Sequence, residues 1–272
     1  MKIAYLGPEG SYCHLALREF YPNAAALQPC KTITETVLAL QNNQVDAAIV
    51  PIENSSNGVV TETLDALIAY DVTIIGEIIL PIHHYLWGKQ SNGPASHIYG
   101  HPQALAQCQH MLRTQFPDIE EIAVTSTALG AQKVQETGQG WAIGSALAGE
   151  LYQLDCIASH IEDAKQNQTR FLILGTTKPQ PTGGDKTAFL ALNIPNQPGA
   201  LLKLLEPFAK HGLNISLPSL RPIADSPWHY VFYFELAGHQ QEAKVQAALT
   251  ELQNFTKIKR LGSYPSAQGI ST

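Results

Sequence analysis

Between residue 1 and about residue 175, strand-like and helix-like segments alternate at short intervals, and this alternation limits the possible folds more than any single residue does. Apolar, strand-like runs occur at 3–6, 45–50, 73–80, 97–100, 121–125, 141–144 and 170–175. Helical periodicity occurs at about 11–20, 33–42, 61–70, 103–115, 127–137 and 145–151. Short loops between such segments call for crossover connections, which build an α/β fold with largely parallel sheets. The alternation stops at 176–185, where two prolines, two glycines and three threonines in ten residues cannot continue a helix or a central strand. Beyond this linker, strands are predicted at 187–194, 215–220, 230–236 and 258–261, with helices at 200–210 and 242–252. That βαββαβ order is ferredoxin-like. A chain of 272 residues is long enough for two cores. The predicted domains are 1–178 and 186–264, and the linker predicts that the first is an autonomous unit.

Composition narrows the function. Hydrophobic residues make up 44% and charged residues 15%, as in an ordinary globular protein. The net charge of −6 leaves no basic surface for nucleic acid, so an anionic small molecule must be held by local positive groups. No run approaches the ~18 apolar residues of a membrane span, and the opening segment is too short and too soon broken for an export signal. Cys13, Cys30, Cys108 and Cys156 are scattered, with no Cys-x-x-Cys pair, which predicts reduced thiols and a cytoplasmic location.

Three segments carry candidate chemistry. Gly7-Pro8-Glu9-Gly10-Ser11 and Pro51-Ile52-Glu53-Asn54-Ser55 each follow a strand and precede a helical pattern, and free N–H groups at helix starts attract anions. Asn167-Gln168-Thr169-Arg170-Phe171 reads as a strand entrance that sets a hydroxyl beside a guanidinium. Such a pair suits a small carboxylic acid that must lose a hydroxyl. A strand start with a solvated arginine fits the same residues when they are read alone.

Taken together, the Gly-Pro-x-Gly-Ser opening, the Pro-Ile-Glu-Asn-Ser turn and the Thr-Arg-Phe triplet resemble prephenate dehydratase. Gly199-Ala200-Leu201 and Arg221-Pro222 resemble the ACT regulatory domain that usually follows it. The resemblance implies a bilobed, periplasmic-binding-protein-like catalytic domain, with crossings between lobes within 73–87 and 155–175. It implies conversion of prephenate to phenylpyruvate in phenylalanine biosynthesis, without metal or organic cofactor. Thr169 matches the catalytic threonine. Arg170, Phe171, Ser11, Asn54 and Ser55 become substrate-contact candidates, with a buried ion pair as the alternative for Arg170 and a buried strand aromatic for Phe171. Glu53, Ser126 and Thr127 are expected behind the contact layer, the last two as helix caps or as ligands. His101-Pro102-Gln103 reads as a structural helix start.

For the C-terminal half, the resemblance implies phenylalanine as effector, bound near Gly199, Ala200, Leu201, Ser219 and Arg221 at the interface of a homodimer or homotetramer. Ser219-Leu220 stands where the family has Glu-Ser, so effector binding is expected to be weaker. Pro218 also enters a strand, where it removes a ladder donor. His83-His84 and the pair His97/His101 lack a completing Cys or carboxylate in sequence, so no metal site is predicted. Arogenate as substrate, or a non-catalytic amino-acid sensor, are the competing functions. No chorismate mutase segment is expected ahead of Ile3.

Overall fold

The computed structural model describes residues 1–89, 95–164, 166–223 and 226–267. The chain begins with β1 (Lys2–Leu6), α1 (Tyr12–Phe20), β2 (Ala26–Cys30), α2 (Ile33–Gln41), β3 (Ala47–Asn54), β4 (Gly58–Val59), α3 (Thr61–Ala69) and β5 (Thr73–Pro81). It then crosses through 82–84 into a second lobe. That lobe contains β6 (Tyr85–Gly88), β7 (His97–Gly100), α4 (Pro102–Gln107), α5 (Gln109–Gln115), β8 (Glu120–Ala123), α6 (Thr127–Thr137), β9 (Trp141–Gly144), α7 (Ala146–Leu151) and β10 (Asp155–Ser159). The return crossing, 160–167, delivers β11 (Gln168–Gly175) back into the first lobe. The C-terminal unit follows as β12 (Asp185–Pro195), α8 (Ala200–Lys210), β13 (Ile215–Ile223), β14 (Ser226–Ala237), α9 (Ala243–Gln253) and β15 (Lys257–Pro265).

The first sheet runs β2-β1-β3-β11-β5, the second β10-β6-β9-β7-β8 and the third β13-β14-β12-β15. β1 pairs in parallel with β2 and β3, but β11 is antiparallel to both its neighbours, so the sheet is mixed rather than largely parallel. The two-lobed architecture and the ferredoxin-like βαββαβ unit are both present. The two crossings are tied to each other, with Ile82 N–H donating to Asn167 O at 2.8 Å and Ile161 N–H to His84 O at 3.0 Å.

Three local departures have physical causes. The helix predicted over 103–115 is broken at Cys108 because Asp163 takes over its hydrogen bonds. The Asp163 N–H donates to Gln107 O (2.7 Å), and the Asp163 carboxylate accepts from His110 N–H (3.0 Å). β2, absent from the sequence pattern, is an edge strand, where Pro29 is tolerated. Pro218 is accommodated by a register shift between Ser216 and Ser219, with Leu217 in a left-handed conformation.

Both faces of the first sheet are covered. Cys13, Ala16 and Leu17 of α1 pack on one side with Ile3, Tyr5, Ile49 and Phe171. On the other side, α2 and α3 share a core with Ala48, Val50, Leu172 and Leu174. That same core continues into Ala188, Leu190, Val231, Tyr233, Leu261 and Tyr264 of the C-terminal sheet. The opposite face of the C-terminal sheet packs on α8 and α9. At Gly262, with φ +138°, β15 approaches β5 so closely that a Cβ would lie 2.3 Å from Ile74 O. Lys259 donates to Leu67 O and Tyr70 O, capping the end of α3 from the C-terminal unit. The sequence linker therefore separates two units that share one core, and autonomy of 1–178 does not follow from its composition.

Candidate active site

A cavity of about 300 Å³ opens between the lobes, at the C-terminal ends of β1 and β3 and the entrance of β11. Three helix starts border it. Ser11 caps α1, its Oγ accepting from His14 N–H (3.3 Å), and Ser126 caps α6, its Oγ accepting from Leu129 N–H (3.1 Å). His101 caps α4 through Nδ1 and also lines the cavity, beyond the structural role expected of it. Thr127 and Phe171 contribute to the wall. Among the described residues that line it, Lys31 is the one permanent cation and none is an aspartate or glutamate.

Strand alternation explains this charge pattern. β3 and β11 pair with Thr169 opposite Asn54 and Arg170 opposite Glu53. Successive side chains point to opposite faces, so Asn54 and Thr169 reach the cleft while Glu53 and Arg170 point away from it. The Asn54 amide Nδ2 donates to Thr169 Oγ1 and to Asn167 Oδ1, both at 2.9 Å. A hydroxyl oxygen that accepts from an amide keeps its own proton for another partner, and the accepted bond polarises it as a donor. From Asn167 the network crosses the cleft. Asn167 Nδ2 donates to Gln107 Oε1 (3.2 Å), which also meets His84 Nε2 (2.9 Å), and His84 Nδ1 meets the Tyr12 hydroxyl (2.7 Å). Because Gln107 Oε1 only accepts, the network assigns the His84 proton to Nε2, and Nδ1 shares the single Tyr12 hydroxyl proton with His83 O (2.9 Å). Burial pushes the His84 pKa down and the Tyr12 pKa well up, so both are neutral near pH 7.

The far side of β11 is the opposite electrostatically. Arg170 is buried, and its Nη1 donates to Glu77 Oε2 (2.8 Å) and to Glu235 Oε1 and Oε2 (2.9 and 3.0 Å). Its Nε and Nη2 reach Glu53 Oε2 at 3.3 Å. Lys186 adds a bond to Glu77 at 2.8 Å. The placement of Arg170 corrects its assignment as a substrate contact: the guanidinium joins the catalytic sheet to β14 and does not line the cavity. Ser55 is also outside the cavity. It lies one step past Asn54, where its Oγ accepts from Gln168 N–H (2.9 Å) and donates to Gln166 O (3.2 Å), fixing the entry of β11. Glu53 likewise does not line the cavity, and its carboxylate pairs with Arg170 at 3.3 Å.

In the C-terminal unit, Gly199 has φ +80° and begins α8, followed by Ala200 and the half-exposed Leu201. Ser219 and Arg221 lie on β13, the edge strand. Arg221 makes a two-pronged ion pair with Asp65 of α3, at 2.7 and 2.5 Å. Lys31 and Gln107 were not singled out by sequence, His84 was considered only as a metal ligand, and Asn167 only as the start of the Thr169 segment. Lys31 immediately precedes the Thr32 cap of α2, and that helix start is the local signal that could have found it. The other three are placed by the crossings and leave no local pattern.

The prephenate dehydratase family model matches residues 3–179, and the ACT domain model matches residues 189–254. The bifunctional chorismate mutase/prephenate dehydratase of Aquifex aeolicus is 40% identical over 98% of this chain and 74% of its own length. The structure of prephenate dehydratase from Arthrobacter aurescens in complex with L-Phe superposes with a TM-score of 0.92 at 31% identity. It covers 100% of this chain and 92% of that one. A structure described as GqqA, a novel type of quorum quenching acylase, superposes with a TM-score of 0.89 at 32% identity over 98% of each chain. With the two-lobed cleft, the ferredoxin-like unit and these matches over nearly every residue, the chain belongs to the prephenate dehydratase family and carries an ACT domain.

Proposed function

We propose that the cleft converts prephenate to phenylpyruvate by decarboxylating dehydration. The observation that carries this reading is a cavity without carboxylates, lined by Lys31 and helix starts, around a hydroxyl oriented by an amide. Prephenate brings two carboxylates and a ring hydroxyl. Lys31 and the starts of α1 and α6 attract the carboxylates, and Phe171 borders the ring. The Thr169 hydroxyl donates to the leaving ring oxygen. The C–O bond breaks as the ring carboxylate leaves as carbon dioxide, and the electron pair of the broken C–C bond completes the aromatic ring. The leaving oxygen departs as water, its proton delivered through Thr169 and restored to it from solvent. Atoms and electrons balance without an oxidant or a Lewis acid. Asn54 acts through Thr169, and Asn167 and Gln107 hold Asn54 relative to the second lobe.

An acylase reading requires a nucleophile paired with a base. Thr169 is paired with an amide that cannot take its proton, and burial pushes the Cys13 thiol up to about 12. The cleft therefore suits a lyase. The ACT domain and the L-Phe complex of the Arthrobacter protein support phenylalanine as effector, bound where Gly199–Leu201 and Ser219–Arg221 of two copies meet. Exposed Leu201, Leu202 and Leu220 suit an interface with a second copy. No helix among the described residues is long and apolar enough to cross a membrane, which agrees with a cytoplasmic enzyme. The test is ultraviolet detection of phenylpyruvate from prephenate, beside phenylalanine from arogenate. Turnover of prephenate is expected, and absence of product from both substrates would overturn the assignment.

A further inference from the structure

The two crossings bring together three donor atoms that the cleft does not use. His83 lies on the first crossing, and His160 and Glu162 lie on the second. His83 Nδ1 is 2.7 Å from Glu162 Oε1 and 3.1 Å from His160 Nδ1, and His160 Nδ1 is 3.8 Å from the same carboxylate oxygen. Ligand atoms about 2.0–2.2 Å from a tetrahedral ion lie roughly 3.3–3.6 Å apart. Small side-chain shifts would bring the observed triangle to that size. The adjacent His84 turns the other way, into the Tyr12–Gln107 network, so the pairing that matters links residues nearly eighty positions apart rather than neighbours in sequence.

The three groups are prepared for an ion. The Glu162 side chain is 5% exposed, and its second oxygen accepts from His84 N–H at 2.8 Å, which aims the first oxygen at the histidines. His160 has a left-handed backbone, φ 52°, and its ring lies edge-on to that of His83 at 4.4 Å. The two histidine side chains are 41% and 57% exposed, so an ion can enter from solvent and complete its shell with water. Two imidazoles and one carboxylate with open positions suit zinc and its neighbours better than magnesium or calcium.

We propose that His83, His160 and Glu162 bind one divalent transition-metal ion of the zinc class, which clamps the two crossings together. The ion stands outside the cleft and takes no part in bond breaking. Because Glu162 also holds the backbone of His84, the clamp stiffens the segments that must flex when the lobes move, and bound metal slows turnover.

The full chain, freed of metal by exhaustive chelation, is titrated with Co²⁺ and then with Zn²⁺. One equivalent of Co²⁺ is expected to give the visible bands of a low-coordinate nitrogen–oxygen site, and one equivalent of Zn²⁺ to abolish them. His160→Asn removes an imidazole while tolerating the left-handed backbone, and Glu162→Gln keeps an acceptor for His84 N–H. Each is expected to weaken binding by more than about tenfold with an unchanged circular dichroism spectrum. Stoichiometric Zn²⁺ should lower kcat of the parent and leave that of His160→Asn unaltered. Binding below one equivalent, or binding equally tight in both variants, overturns the site, and equal parental turnover with and without Zn²⁺ overturns the clamp.

Discussion

Replacing Arg170 by Met separates two roles for this residue that predict opposite measurements. Arg170 and Lys186 together face three carboxylates, Glu53, Glu77 and Glu235, and the side chains of Glu77 and Glu235 have no exposed surface. Methionine fills much of the volume and removes one of the two cations. Glu53, with a side chain 39% exposed, can turn to water. Glu77 and Glu235 are left with Lys186 as their remaining cation, at 2.8 and 3.8 Å, beside neutral donors from Ala267 N–H on Glu77 (2.9 Å) and the Tyr233 hydroxyl on Glu235 (2.7 Å). Breaking a buried pair in this way costs about 3–5 kcal/mol, a large part of a total stability of about 5–15 kcal/mol. At roughly 2–4 °C per kcal/mol for a protein near this size, the thermal midpoint should fall by about 6–20 °C. Adding Glu235→Gln to Arg170→Met removes one orphaned charge and should recover part of the loss. Had the guanidinium held a substrate carboxylate instead, its loss would raise KM by about ten- to a hundredfold, the equivalent of about 1.5–3 kcal/mol, and leave the midpoint in place. Calorimetry with steady-state kinetics on the same preparation decides between them. A variant that melts within about 2 °C of the parent and shows only a raised KM would refute the buried-network account.

Four further outcomes follow from the geometry. Thr169→Val should lower kcat about 10²–10⁴-fold with the fold intact, and Thr169→Ser should keep part of the activity; normal turnover by the valine variant would sink the assignment. A chain ending at Lys178 exposes the faces of Leu64, Leu67, Leu172 and Leu174 that the C-terminal sheet covers, so it should aggregate or melt earlier than the full chain, and a stable monomeric fragment with full turnover would contradict the shared core. Calorimetric titration should show phenylalanine binding the full chain and tightening in Ser219→Glu by about ten- to a hundredfold if the acid contacts the ligand; submicromolar binding unchanged by that substitution would show the position to be irrelevant. His14, His84 and His101 have pKa values lowered chiefly by burial, so their unfolded forms take up protons first and stability should fall as pH drops from about 7 towards 5. In Glu77, burial acts upward but Lys186 and Arg170 outweigh it, so a second loss should appear as pH falls below about 4.5 through its depressed folded value; denaturant melts that strengthen on acidification would reverse both signs.

Much of this architecture was legible in the chain because period and punctuation are local properties. The alternation of elements, the Pro/Gly break and the helix starts at Ser11 and Ser126 can be read from a dozen residues at a time. The faces of β11 could not be read that way. Thr169 and Arg170 are adjacent, and which one enters the cleft depends on pairing with Asn54 and Glu53, over a hundred residues earlier. Arg170 also finds Glu235 in the C-terminal sheet, a partner that no spacing advertises. Asn167, Gln107 and Glu162 owe their roles to the meeting of two crossings. The shared core was hidden because Leu172, Leu174, Leu190 and Val231 look like any buried strand residues, whichever layer covers them.

The alternation of β11 also sets a rule for chain length. Surface loops usually accept an added or deleted residue, because their ends need only reach. The segment 160–167 must do more, since it delivers Thr169 opposite Asn54 and Arg170 opposite Glu53. If one extra residue there slid β11 by one position, every side chain on the strand would turn to the other face. The guanidinium would enter the cleft, and the threonine would lie among Glu77 and Glu235. A two-residue insertion would restore the faces but move Thr169 out of line with Asn54. In lineages of this protein, insertions should therefore collect elsewhere, and the return segment should keep its length even where its composition drifts.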